Sequence, residues 1–119
     1  MHREKFNVLL NSLSEFFKML SHPARIRIIG LLIQNETLDV TSLQESLGIA
    51  QSSVSNHLKL LKMQGLLTEH REGTHIYYRL KSQRIKAVVT NALALYAVDL
   101  TTDKDLIAVI EDMNKILGA

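Results

Sequence analysis

The chain has no cysteine and no tryptophan, one proline and five glycines. Lack of cysteine excludes disulfides, thiolate metal sites, CxxC redox pairs and a cysteine nucleophile. So few chain breakers favour helices over a many-turned all-β fold. No apolar run reaches the roughly 18 residues of a membrane span, and the mean hydropathy is +0.05. Met1-His2-Arg3-Glu4-Lys5 mixes charges where a secretory signal would begin its apolar run. A soluble, cytoplasmic protein with no membrane partner is therefore expected. Gly-rich phosphate loops, GxSxG, HExxH and paired-carboxylate constellations are also missing. The expectation is a protein that is not an enzyme and carries no cofactor.

What is present begins with size. At 119 residues, 46% apolar and 22% charged, the chain suffices for one ordinary core and is too short for two. A single domain over residues 1–119 is expected. The net charge of +2 says little, but its distribution says more. Residues 50–86 hold Lys59, Lys62, Arg71, Arg79, Lys81, Arg84 and Lys86 against Glu69 and Glu72, a balance of +5. Residues 99–119 hold Asp99, Asp103, Asp105, Glu111 and Asp112 against Lys104 and Lys115, a balance of −3. A basic middle suits a polyanionic partner. The acidic end reads as solvated surface.

Periodicity gives the elements. Phe6, Leu9, Leu10, Leu13, Phe17 and Leu20 form one stripe of a helix over 4–20. Ser21 or His22 can cap the next helix, with Pro23 in its first turn. Ile26, Ile29, Leu32 and Ile33 carry it to about Gln34. After a polar connection at 35–40, Thr41-Ser42-Leu43-Gln44 reads as a capping box with Thr41 as cap. Gly48 stops that short helix. A fourth helix runs from Ala50 to about Gln64, with Val54, Leu58 and Leu61 inward and Gly65 closing it. The period then becomes alternating. Leu67–Arg71 and a strand through Ile76, Tyr78 and Leu80 form a hairpin turned at Glu72-Gly73. From Ser82 the helical period returns through Ile85, Val88, Val89, Ala92, Leu93 and Tyr96. Thr101-Thr102-Asp103 interrupts it, and Leu106, Ile110, Met113 and Leu117 make a last helix. The expected fold is mainly α with a small β-hairpin, in the order α-α-α-α-β-β-α-α.

The segment Thr41 to Leu80 carries the function. Two helices joined by a short glycine turn and followed by a hairpin make a winged helix-turn-helix. In such units the second helix enters the major groove of DNA. Ser52, Ser55, Asn56 and Lys59 lie at i, i+3, i+4 and i+7, opposite the apolar face. Such side chains pack poorly but bond well to base edges and phosphates. Gln51 and Ser53 sit near the helix N-terminus, where the dipole favours phosphate. Lys62 extends the same helix. His57 lies beside the apolar seam, where a packed ring bonding to a carbonyl or phosphate is expected rather than a metal ligand. Arg71 and Thr74 flank the hairpin tip, placing a cation for phosphate or a minor groove. The expected DNA-binding set is Gln51, Ser52, Ser53, Ser55, Asn56, His57, Lys59, Lys62, Arg71 and Thr74. Tyr77 and Tyr78 face opposite ways and read as sheet packing, not a stacking platform.

From about Phe16 to Tyr96 the chain resembles the ArsR family of winged-helix repressors. The resemblance rests on Leu20-Ser21-His22-Pro23-Ala24-Arg25-Ile26-Arg27-Ile28 and on Val54-Ser55-Asn56-His57-Leu58-Lys59-Leu60-Leu61. It rests also on Gln64-Gly65-Leu66-Leu67, Arg71-Glu72-Gly73 and Tyr77-Tyr78-Arg79-Leu80. It implies a homodimer through the first and fifth helices, double-stranded DNA with a pseudo-palindromic operator, and repression relieved by an inducing signal. The family's Cys-x-Cys metal site falls here on Asp39 and Thr41. Its fifth-helix metal site falls on Ser82, Arg84, Leu95 and Val98. None of these four is a good divalent-metal ligand. No metal is expected, and the effector is left open. Ala50 also replaces the Ser/Thr-type cap usual before the recognition helix. The alternative function is a winged-helix module that binds another protein through its apolar terminal helices.

Overall fold

A computed structural model describes residues 2–99 and 104–116. The expected break at Thr101-Thr102-Asp103 and the inward Leu117 lie outside the described residues. The elements are α1 (His2–Met19), α2 (Pro23–Gln34), β1 (Leu38–Asp39), α3 (Val40–Leu47), α4 (Gln51–Met63), β2 (Leu67–Glu72), β3 (His75–Leu80), α5 (Arg84–Asp99) and α6 (Lys104–Ile116). The helices and the hairpin follow the order that periodicity gives.

The sheet is antiparallel and has three strands, in the order β1-β3-β2. The third strand corrects the expected connection at 35–40: Leu38 pairs with Tyr78 and Asp39 with Tyr77. Asp39 also displaces Thr41 as the cap of α3. Its Oδ1 accepts the Ser42 N–H at 2.9 Å, and Val40 already lies inside the helix. The hairpin turn is displaced by one residue. Glu72 pairs with His75, leaving Gly73-Thr74 as the two-residue loop. Gly73 has φ +61°, and among the described residues no non-glycine residue has positive φ. Positive φ at the first central position alone suits a type II′ turn.

The core is built from one face of each inner element. Ile28, Ile29 and Leu32 of α2 meet Leu43 and Leu47 of α3, and Val54, Leu58 and Leu61 of α4. Leu66, Leu67, Tyr78, Leu80, Ile85 and Val89 close it from the sheet and α5. Each fully buried Leu or Ile contributes about 1.5–3 kcal/mol by leaving water. Ile26 departs from the expected stripe: it is 37% exposed, and Ile28 takes the inward position. The C-terminal end of α1 joins this core through Met19, with Phe16 and Leu20 packed against it. The rest of the α1 stripe does not. Phe6, Leu9, Leu10, Leu13 and Phe17 remain between 48% and 69% exposed, and Leu95 and Tyr96 of α5 are exposed as well, at 70% and 64%. Large apolar side chains left exposed in such number mark an interaction face.

Candidate nucleic-acid interface

The sequence of α4 divides the helix into two faces. Val54, Leu58 and Leu61 have no exposed surface. Gln51, Ser52, Ser53, Ser55, Asn56 and Lys59 are all exposed. The spacing that buries one set turns the other outward as a continuous hydrophilic stripe.

Both ends of α4 are fixed. Gly48, with φ +67°, ends α3 and returns its N–H to the Gln44 carbonyl at 2.9 Å. Arg27 of α2 reaches the same end, donating from Nη2 to Ser46 O at 2.9 Å and from Nη1 to Leu47 O at 3.3 Å. A guanidinium there satisfies free carbonyls and meets the negative end of the helix dipole. At the start of α4, Ala50 is the N-cap and supplies no side-chain hydrogen bond. The positive end of the helix dipole is thus at Gln51 and Ser52. At its other end, the Gly65 N–H reaches Lys62 O at 3.0 Å and the Leu66 N–H reaches Leu61 O at 2.9 Å. This paired arrangement, with Gly65 at φ +79°, closes the helix and aims the chain into β2.

The wing is tied to α4. Lys62 Nζ bonds Glu69 Oε1 on β2 at 2.6 Å, which holds the Glu69 carboxyl below the ordinary carboxylate range. Arg71 lies two residues further along β2, so it shares the sheet face of Glu69. Arg71 and Thr74 are exposed. On the other sheet face, His75 Nδ1 lies 3.5 Å from Asp39 Oδ2, and His70 Nε2 lies 3.1 Å from Glu72 Oε1. The Ser42 hydroxyl and amide hold the Asp39 carboxyl below its ordinary value. Burial and the facing Glu69 push the Tyr78 phenol up. Among the described residues, no group of three or more His, Asp or Glu side chains is placed to hold a metal ion. No described helix is long and apolar enough to cross a membrane.

Two expected contact residues sit differently from their neighbours. His57 is 9% exposed and turns inward, not onto the stripe. Its Nδ1 accepts the Arg25 Nε–H at 3.2 Å, and the His22 ring meets it edge-on with centroids 4.6 Å apart. His57 packs there because its position faces the α2 side of the helix and finds a donor in Arg25. Lys62 keeps its exposure but is already engaged by Glu69. Sequence reasoning assigned no role to Arg25 or Arg27. The available signal was their place three and five residues after His22, on the helix that packs beneath the turn.

Comparison with known proteins follows the same segment. Residues 22–69, from the N-cap of α2 into β2, match the family described as bacterial regulatory protein, arsR family. The HTH-type transcriptional regulator Rv0081 of Mycobacterium tuberculosis is 33% identical over 100 residues, covering 84% of this chain and 85% of its own length. Its crystal structure superposes with a TM-score of 0.72, at 32% identity over 79% of this chain and 94% of that one. The transcriptional repressor PagR of Bacillus anthracis is 34% identical over 77 residues, 64% of this chain and 76% of PagR. The homodimeric winged helix-turn-helix DNA-binding domain of Mb0332 from Mycobacterium bovis superposes with a TM-score of 0.67. It is 29% identical and covers 79% of this chain and 84% of that domain. These relatives are transcriptional regulators, repressors or DNA-binding domains. The fold, the two-faced α4 and the match from His22 to Glu69 agree, and the chain belongs to the arsR family of bacterial regulatory proteins.

Proposed function

We propose that this chain is a homodimeric, sequence-specific transcriptional repressor of the cytoplasm, acting as one winged helix-turn-helix domain. The observation that carries the reading is α4: a helix fully buried on one side that presents Gln51, Ser52, Ser53, Ser55, Asn56 and Lys59 on the other. In this reading α4 lies in the major groove. Ser55 and Asn56 bond base edges, and Lys59 meets phosphate. The uncapped start of α4 receives a phosphate on its first amides. Arg71 and Thr74 at the wing tip grip the adjacent backbone or minor groove. Lys62 acts beside them when it leaves Glu69.

The exposed apolar faces of α1 and α5 support pairing of two copies through those helices. Two α4 helices then read a pseudo-palindromic operator with half-sites about 10–10.5 bp apart or a multiple of that. The relatives PagR, a transcriptional repressor, and Mb0332, a homodimeric DNA-binding domain, support the direction of regulation and the assembly. A thiolate metal signal is excluded by composition, since the chain has no cysteine.

The test is enrichment of sheared genomic DNA on immobilised protein, with and without chelator, followed by footprinting. The expected result is a small set of fragments sharing an inverted repeat. Uniform recovery of all fragments, or none, overturns the reading.

A further inference from the structure

Three helices meet at one side chain. Arg25, on α2, donates from Nε to His57 Nδ1 of α4 at 3.2 Å and from Nη1 to Met19 Sδ of α1 at 3.7 Å. Met19 is 7% exposed and His57 9%. The His22 ring stands against the His57 ring from the N-cap of α2. His57 is flanked in sequence by Asn56 of the hydrophilic stripe and by Leu58 of the core. One guanidinium thus spans from the end of the helix with the exposed apolar stripe to the middle of the helix with the exposed polar one. A planar fork fixes both directions at once, which a lysine ammonium does not.

We propose that Arg25 is a positioning residue, whose bonds to Met19 and His57 set the rotation of α4 relative to α1 and so couple the pairing of two copies to the presentation of Asn56. The inference rests on the DNA-binding reading above and deepens it. It requires His57 to be neutral, with Nδ1 unprotonated, because an imidazolium has no acceptor for the Arg25 N–H. Burial, His22 and Arg25 all favour that neutral form. The charged and titratable groups acting on the ring are His22 and Arg25, both of which repel a proton there.

The test measures affinity for an enriched operator, thermal unfolding and dimer mass for four proteins: wild type, Arg25→Met, His57→Gln and the double variant Arg25→Met, His57→Leu. Arg25→Met is expected to weaken operator binding about ten-fold, the loss of one charged hydrogen bond. His57→Gln keeps an acceptor and is expected to bind within about three-fold of wild type, half of that effect in free energy. The double variant replaces the polar pair by apolar side chains and is expected to melt close to wild type. Its affinity stays about ten-fold down, which a purely structural role would restore. Between pH 7.5 and 5.5, wild type loses more affinity than the double variant. The other histidines are common to both proteins, so the difference isolates the Arg25–His57 pair. Wild-type affinity in the Arg25→Met or the double variant, or identical pH profiles, overturns the inference and leaves the DNA-binding reading standing. A wild type that enriches no duplex overturns both.

Discussion

Lys62 and Glu69 hold α4 and the wing together: Lys62 Nζ lies 2.6 Å from Glu69 Oε1, across from α4 to β2. The pair is partly exposed, so it fixes geometry more than it stabilises the fold. It also places a carboxylate beside the surface assigned to DNA. Glu69→Gln removes that charge and frees the lysine. The expected outcome is tighter DNA binding, by a few-fold at low salt, with a log–log salt slope steeper by about 0.9. Fluorescence anisotropy at four salt concentrations measures both. Weaker binding would mean that the pair's geometry outweighs its charge.

Lys59 faces outward on α4, one turn beyond Ser55 and Asn56. Lys59→Ala is expected to weaken all duplexes alike and to flatten the salt slope by about 0.9, the share of the single phosphate that its ammonium neutralises. Comparison of operator with random duplex checks this. A selective loss on operator would place Lys59 on a base instead.

The Arg27 fork closes the C-terminal end of α3 through the Ser46 and Leu47 carbonyls. Arg27→Met keeps the aliphatic stem and loses both bonds. A stability loss of about 1 kcal/mol is expected, read as a lower urea midpoint. An unchanged midpoint would show that water replaces the guanidinium without cost.

His57 gives the fold a pH dependence of defined sign. Burial, then His22 and Arg25, lower its pKa below the ordinary 6.5. Above that value both folded and unfolded chains hold it neutral, and stability does not change on its account. As pH falls below 6.5, the unfolded chain takes up a proton that the folded chain resists, so stability declines until the folded value is passed. Asp39 adds a second decline. Its folded pKa lies below 3.8, so its contribution is present above that value and is lost as pH falls through the folded pKa. Urea unfolding between about pH 7.5 and 5 is expected to show a decline in wild type that is shallower in His57→Gln. Equal slopes in the two proteins would remove His57 as the cause.

The exposed stripe of α1 predicts the assembly. Leu9→Glu with Leu13→Glu puts charges where Phe6, Leu10 and Phe17 offer apolar surface. The dimer dissociation constant is expected to rise about 100-fold or more. Light scattering across a concentration series measures it. A stable dimer in the double variant would move the seam elsewhere.

The main divisions of the fold were legible because long elements repeat their period several times. Val54, Leu58 and Leu61 mark the inner face of α4 without ambiguity, and Gly48 and Gly65 mark the ends of α3 and α4. The hydrophilic stripe follows as the complement of that face. Shorter features were not legible. Two residues, Leu38 and Asp39, cannot display an alternating pattern, and β1 exists because β3 offers a free edge. Asp39 and Thr41 are both good caps two residues apart, and the pairing of β1 selects the first. Gly73 satisfies either placement of a two-residue turn, and the register of Glu72 with His75 decides between them. His57 lies at the border between the two faces, and its partner Arg25 is 32 residues away in sequence. Periodicity sees neither the distance nor the donor. The arginines of α2 were visible as part of a family resemblance, but their bonds belong to tertiary structure.

The central claim is that the outer face of α4 reads base sequence. It is tested most directly by titrating the enriched operator and a random duplex with wild type, Ser55→Ala and Asn56→Ala, with unfolding followed in parallel. The account predicts that Asn56→Ala and Ser55→Ala fall to the affinity of random duplex, while melting and dimer mass stay at wild-type values. Wild-type operator affinity in both variants would contradict it.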